Sequence, residues 1–190
     1  MDNVSTPEMT ALLTTLRDAG GMRVFVETGA GRGDLSFVAG EVFDTVITME
    51  PDAALYEAAH ERLSGRKGLL PLTGDTRELV PNLMPRLAAP AVFWLGSHLA
   101  VRDGGDTPLF AEIEAVIGAP MGHILCIPGA DGIVADAQRP AGWPTLADIL
   151  AVLGRGAARN VGLRDAVLFA VPQDNTKLWN ALFPDGVTGL

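Results

Sequence analysis

The chain has one cysteine and three histidines among its 190 residues. A single thiol cannot close a disulfide within the chain or build a cysteine zinc site. Cys126 lies in the apolar run Gly122-His123-Ile124-Leu125-Cys126-Ile127 and reads as a buried strand residue, packing as a small hydrophobe. His60, His98 and His123 are too scattered for metal-ligand spacing, so no metal is assigned. No apolar run approaches the ~20 residues that a membrane helix needs. Met1 to Arg17 lacks the basic start and long apolar stretch of a secretory signal. The cytoplasm is therefore the expected location, with no membrane partner. Charged residues make up only 19% of the chain, with a formal net charge of -9. Such a surface repels a phosphate backbone unless basic residues are concentrated somewhere. The densest basic group, Arg62, Arg66 and Lys67, has Glu61 within it, so no nucleic-acid partner is expected.

What the chain does have is apolar residues, at 48%, and 22 glycines. A chain of this length buries roughly 70% of the surface that it exposes when unfolded, enough for one domain without covalent staples. A single domain over 1–190 is expected, with a helix within 1–20. Short apolar runs alternate with helix-like segments, the sign of βα units around a parallel sheet. Strands are predicted at Arg23–Val26, Thr45–Met49, Leu69–Leu72, Ala91–Leu95, His123–Ile127, Arg159–Gly162 and Ala166–Val171. Helices are predicted over Asp34–Val42, Asp52–Leu63, Arg77–Leu87, Pro108–Ile117 and Leu146–Leu153, with Pro81 and Pro85 limiting the third of these. The expected fold is a doubly wound α/β domain. Its sheet has seven mostly parallel strands, with an antiparallel strand at one edge, where the last two strands form a hairpin.

The most informative segment is Glu27-Thr28-Gly29-Ala30-Gly31-Arg32-Gly33-Asp34. It closes the first strand and opens a helix. Glycines at alternate positions let the backbone turn sharply and approach a ligand, and a helix start offers free N–H groups to a carboxylate. In open α/β sheets ligands bind at the carboxyl ends of the strands, where this turn lies. A dinucleotide fingerprint needs G-x-G-x-x-G or A. Counted from Gly29 the sixth position is Asp34, which argues against an NAD-linked oxidoreductase. Glu50 ends the second strand about 20 residues past the first glycine, where an acid can accept from both hydroxyls of a ribose. Asp75 follows the third strand. It reads either as a helix N-cap, with Glu78 completing a capping box, or as an acceptor from an adenine amino group.

The pattern E-x-G-x-G-x-G resembles motif I of the class I S-adenosylmethionine-dependent methyltransferases, and element order extends the resemblance over most of the chain. The fold that it implies is the Rossmann-like methyltransferase fold. It implies S-adenosylmethionine as cofactor, bound by Glu27, Thr28, Gly29, Gly31 and Gly33, with Glu50 and Pro51 at the ribose, Asp75 and Thr76 at the adenine, and Gly96 after the fourth strand. The implied activity is methyl transfer to a small molecule, through oxygen in the first instance. Phe93-Trp94-Leu95-Gly96-Ser97-His98 is similar to an F-W-L-D-x-H segment of some bacterial members, with Gly96 in place of the acid. The fifth strand ends in Pro128-Gly129, where some relatives carry acids. A non-catalytic protein of the same fold, binding a nucleoside or a protein partner, is the alternative that these two departures motivate.

Alignment of nucleophile and methyl is the main demand of the reaction, and a hydroxyl acceptor also needs its proton removed. His98 is the first candidate base, and Asp103, Asp106 and Asp131 on following loops are the next candidates. The polar stretch Val101–Thr107 reads as either a cover over substrate or a surface loop. Residues 129–144 read as a long loop with Trp143 packed in it or walling a site. Homodimerisation stays open.

Overall fold

The β-branched and aromatic runs pair into one seven-stranded sheet in the computed structural model, which describes residues 6–100, 106–135 and 139–186. The strands are β1 (Val24–Thr28), β2 (Thr45–Glu50), β3 (Leu69–Thr73), β4 (Ala91–Leu95), β5 (Ile124–Pro128), β6 (Arg159–Arg164) and β7 (Val167–Pro172). Their order is β3-β2-β1-β4-β5-β7-β6. β1 to β5 run parallel, and β7 runs antiparallel to both of its neighbours. The expected hairpin forms that edge of the sheet. The reversed strand, β7, is second from the edge, and β6 is the edge itself. Every residue of β4 and of β5 is buried. This is why both read as unbroken apolar runs: a parallel strand covered on both faces has no polar side to show.

Helices α1 (Thr6–Asp18), α2 (Asp34–Ala39), α3 (Ala53–Leu63), α4 (Thr76–Leu83), α5 (Leu109–Gly118), α6 (Ala130–Val134), α7 (Leu146–Leu153) and α8 (Thr176–Leu182) flank the sheet. Leu13 and Leu16 of α1 and Leu178 and Leu182 of α8 pack on one face with Phe25, Trp94 and Phe169. Leu109 and Ile113 of α5 and Ile149 of α7 pack on the other with Val26, Phe93 and Leu125. Among the described residues no helix is long and apolar enough to cross a membrane.

Three local outcomes differ from the pattern reading. The stretch after β5 contains the short helix α6, started by a left-handed Gly129. A final helix, α8, follows β7; the Asn175 side chain caps it by accepting from the Leu178 amide. Pro81 lies inside α4, and a 3-10 turn at Met84–Arg86 replaces the expected last turn. Pro85, inside that 3-10 turn, has no N–H to donate to the Pro81 carbonyl, so the α-helical ladder stops there. β1 and β4 are neighbours, yet the chain leaves β1 toward β2 and leaves β4 toward β5. The fork between their carboxyl ends is the topological switch point, where α/β sheets bind ligands.

Candidate functional site at the carboxyl ends of the strands

The turn leaving β1 is held in a left-handed conformation at Gly29, Gly31 and Gly33, with φ of 73°, 57° and 76°. The glycines serve different ends. A Cβ on Gly29 would stand 2.7 Å from Ser97 Cα, so the turn touches the segment after β4 backbone to backbone. A Cβ on Gly33 would meet Ala59 of α3 at 3.3 Å. A Cβ on Gly31 would meet nothing within 4 Å, so this glycine borders open space. Glu50, buried at the end of β2, comes directly to this turn. Its Oε2 accepts from the Gly31 amide at 2.7 Å and its Oε1 from the Asp52 amide at 3.0 Å. Pro51 is exposed beside it.

Two buried acids grip the end of β1 from opposite faces of the sheet. Glu27 faces α2, where its carboxylate accepts from Ser36 Oγ and, at 3.2 Å, from Oγ1 of its cross-strand partner Thr48. Burial pushes its pKa up to about 7 against the pull of those two hydrogen bonds. Glu112, on α5, is wholly buried on the other face. It accepts from Ser97 Oγ at 2.6 Å and Thr28 Oγ1 at 3.2 Å, and it also bonds the Thr76 side chain. Burial holds its carboxyl above the usual range. One side chain thus ties together the ends of β1 and β4 and the start of α4.

Asp75 caps α4 through the Arg77 amide at 2.9 Å rather than in a box with Glu78. The Arg77 guanidinium also binds its carboxylate, with Nη2 2.7 Å from Oδ2, and holds its pKa low. Thr76 is buried against Glu112, so its side chain faces the core. Gly96 donates its amide to Thr28 O at 3.0 Å, and a Cβ there would press on that same carbonyl. These residues, Glu27 to Gly33, Glu50, Asp75, Thr76 and Gly96, gather at the ends of four adjacent strands.

The residues weighed as bases are disposed differently. His98 is fully buried. Its Nε2 lies 3.0 Å from Pro128 O, and its ring packs edge-on against Trp143, with centroids 4.9 Å apart. Burial lowers its pKa to about 4, so the ring is neutral at pH 7. Asp106 is exposed and pairs with Arg77 at 3.2 Å. Asp131 is exposed on α6, and Asp103 lies outside the described residues. His123 accepts the Ala91 amide on Nδ1 at 3.1 Å, at the far end of β4. Among the described residues no group of three or more His, Cys, Asp and Glu side chains is arranged to hold a metal.

Pattern reading missed Glu112, Ser97, Ser36 and Arg77. Glu112 had left a signal. It stands between Leu109 and Ile113 on the apolar stripe of α5, which continues through Val116. A carboxylate there must be buried and therefore partnered.

The fold has solved counterparts. A Staphylococcus aureus structure assigned as a caffeoyl-CoA O-methyltransferase superposes with a TM-score of 0.63 at 12% identity, over 89% of this chain and 84% of that one. An O-methyltransferase from Bacillus cereus, in complex with S-adenosylhomocysteine, gives 0.61 at 12% identity over 89% and 82%. The N-methyltransferase NodS from Bradyrhizobium japonicum, with the same ligand, gives 0.57 at 13% identity over 89% and 87%. No family model matches the sequence, and no curated protein matches it. The likeness is one of fold: the chain has the Rossmann-like fold of the class I methyltransferases.

Proposed function

We propose that the chain binds S-adenosylmethionine at the fork between β1 and β4 and transfers its methyl group to a small molecule, at a hydroxyl oxygen. The observation that carries this reading is the meeting of Glu50 with the Gly31 amide, 2.7 Å apart, beside open space at Gly31. A carboxylate has about four lone-pair sites. The Gly31 and Asp52 amides take two, which leaves two for the paired hydroxyls of a ribose. The residues present therefore fit the cofactor. Glu50 and Pro51 would hold the ribose and Gly29 to Gly33 the amino-acid tail, with Thr28 and Gly96 walling the fork. Glu27 ties the end of β1 to Ser36 of α2, the helix that the turn opens. Asp75 and the backbone of Thr76 would border the adenine. Arg77 must yield one of its bonds to Asp75 for the amino group to reach that carboxylate.

When bound, the cofactor supplies a methyl on a sulfonium, open to in-line displacement. The chain's own part is alignment and the exclusion of water, since reacting atoms must come within about 3–3.5 Å. His98 stays neutral and joins the end of β4 to Pro128 of β5, so we read it as a positioning residue. The proton of the hydroxyl then leaves through an exposed carboxylate, and Asp131 is our candidate. A second reading is a non-catalytic protein of this fold that binds the same ligand. It is favoured by Gly96 and Pro128-Gly129, where acids are missing.

Calorimetry with S-adenosylhomocysteine tests the binding step. Wild-type protein should bind, and Glu50→Ala should weaken binding at least about tenfold, or 1.4 kcal/mol. A wild-type chain that does not bind sinks the proposal. Binding without turnover across a panel of phenols, amines and carbon acids selects the second reading.

A further inference from the structure

A cavity of about 670 Å³ opens beside the fork, on the face of the sheet that carries α1. Sites for small organic ligands usually measure ~300–1,000 Å³ and have mostly apolar walls with a few placed polar groups. Here the walls and the mouth differ in chemistry. Met9 and Leu12 of α1, with Leu99, are half-buried and form apolar walls, and buried Val167 of β7 backs them. The charged side chains of the lining are Glu8 of α1, Asp131 of α6, and Arg164 and Asp165 at the β6–β7 turn. All four are exposed, so they stand at the mouth. The cavity adjoins the fork through β4: Trp94, on its lining, is the strand partner of Glu27, and Gly29 packs on Ser97 just beyond.

Charge decides what fits. Among the described lining residues three carboxylates face one guanidinium, and that guanidinium is committed. Arg164 Nε lies 3.1 Å from Asp165 Oδ2 and its Nη1 3.0 Å from Leu182 O. The acids come from three separate elements, and two of them are held in a fixed relation. Ala130 donates its amide to Ala166 O at 2.9 Å, which fastens the residue before Asp131 to the residue after Asp165. A hollow with low-dielectric walls and a rim of one sign focuses the field at its opening. Here that field is negative, on a chain whose net charge is -9. It repels an anion, leaves an uncharged molecule only the walls, and draws in a cation.

We infer that this cavity takes an organic ammonium ion, its apolar body against Met9, Leu12, Leu99 and Val167 and its charge at the mouth among Glu8, Asp131 and Asp165. As the methyl acceptor's pocket it would select a hydroxyl-bearing amine, and that role rests on the function proposed above. The cation site itself does not.

Three probes with one apolar body and different charge test this: 2-naphthylmethylammonium, 2-naphthalenemethanol and 2-naphthoate, each titrated into 15N-labelled protein. The ammonium should bind at least about fivefold more tightly than the alcohol, and the carboxylate more weakly than both. Its amide shifts should saturate and should gather at Glu8 to Leu12, Gly129 to Asp131 and Arg164 to Val167. Raising sodium chloride from about 50 mM to about 500 mM should remove most of the advantage of the ammonium and leave the alcohol nearly unchanged. Glu8→Gln with Asp131→Asn, both at exposed positions, should bring the ammonium close to the alcohol and leave S-adenosylhomocysteine binding intact. Should the double variant not fold, the salt series on the wild-type chain carries the same test. The inference is overturned if the ammonium binds no more tightly than the alcohol, if it does not bind, or if its shifts gather elsewhere. An ammonium that binds while S-adenosylhomocysteine does not leaves the cation site standing and removes the methyl-transfer reading. The converse result removes the cation site alone.

Discussion

Glu112, on a helix packed against the sheet, accepts a 2.6 Å hydrogen bond from Ser97 at the end of β4. With Thr28 and Thr76 as its other donors, it fastens three segments that border the fork. Glu112→Ala would leave these hydroxyls without their acceptor in a dry setting. At about 1–3 kcal/mol for each buried group left unmade, with some relief from hydroxyl rotation, the expected loss is about 2–4 kcal/mol in urea unfolding. Glu112→Gln keeps an acceptor oxygen and should cost about 1 kcal/mol or less. If the alanine variant unfolds at the wild-type midpoint, the carboxylate is not the fastening described.

The glycines of the turn should separate into two kinds. Gly29→Ala forces a Cβ to 2.7 Å from Ser97 Cα, and backbone cannot step aside there, so this variant should fail to fold or lose most of its stability. Gly31→Ala meets open space and bears only the left-handed penalty of about 1–2 kcal/mol. It should fold, yet bind S-adenosylhomocysteine at least tenfold more weakly if the proposed site is correct, because its methyl enters the open space where we propose the ligand binds. Melting curves and calorimetry on the two variants check both halves. Equal stability of the two would contradict the assigned contact.

Stability should respond to pH through groups that pull in opposite directions. The pKa of Glu27 rises from an ordinary 4.5 to about 7 on folding. Its contribution is complete below pH 4.5 and fades as pH rises through 7, because the unfolded chain releases the proton first. The difference is on the order of 3 kcal/mol. His98 and His123 do the reverse. Their pKa values fall from 6.5 to about 4, so their contribution is complete above pH 6.5 and is lost as pH drops through 4. Glu27→Gln removes the first slope alone. It should be more stable than wild type at pH 8 and equal to it near pH 4.5, as read from urea midpoints. A less stable variant at pH 8 would mean that the fold favours the carboxylate and that folding does not raise the Glu27 pKa.

The sheet and the glycine turn were legible because each rests on local chemistry: apolar runs, left-handed glycines, an acid one strand over. Glu50 could be placed from its spacing together with the glycine turn before it, since neighbouring parallel strands end on the same side of the sheet. What stayed hidden depends on contacts distant in sequence. Glu112 lies 84 residues from Thr28, and only its position on an apolar stripe hinted at burial. His98 follows β4 as a loop residue would, yet Pro128 and Trp143, both remote in sequence, enclose it. The Asp75–Arg77–Asp106 group joins residues that read separately as a cap, a helix residue and a loop acid. Helix α8 escaped because its seven residues are too few to show a helical period, and its burial comes from α1 and β7.

The hairpin between β6 and β7 turns over two residues, Asp165 and Ala166, since Arg164 pairs directly with Val167. Pattern reading had placed Arg164 in the turn and Ala166 in the strand. Both central residues carry positive φ, 50° and 60°. That is the geometry of a type I′ turn, whose preferred sequence is Asn-Gly or Asp-Gly. Aspartate tolerates the first position, because its short polar side chain suits left-handed backbone. Alanine has no such relief at the second, where its Cβ crowds the following carbonyl. The turn is nevertheless fixed in place: Ala130 donates its amide to Ala166 O at 2.9 Å, tying it to the end of β5. Ala166→Gly keeps that carbonyl and completes the Asp-Gly pair. It should stabilise the fold by about 0.5–1 kcal/mol, the left-handed relief less the added freedom of glycine in the unfolded chain. Thermal unfolding measures this directly. A loss of stability in Ala166→Gly would show that Ala166 does not hold the left-handed conformation in solution.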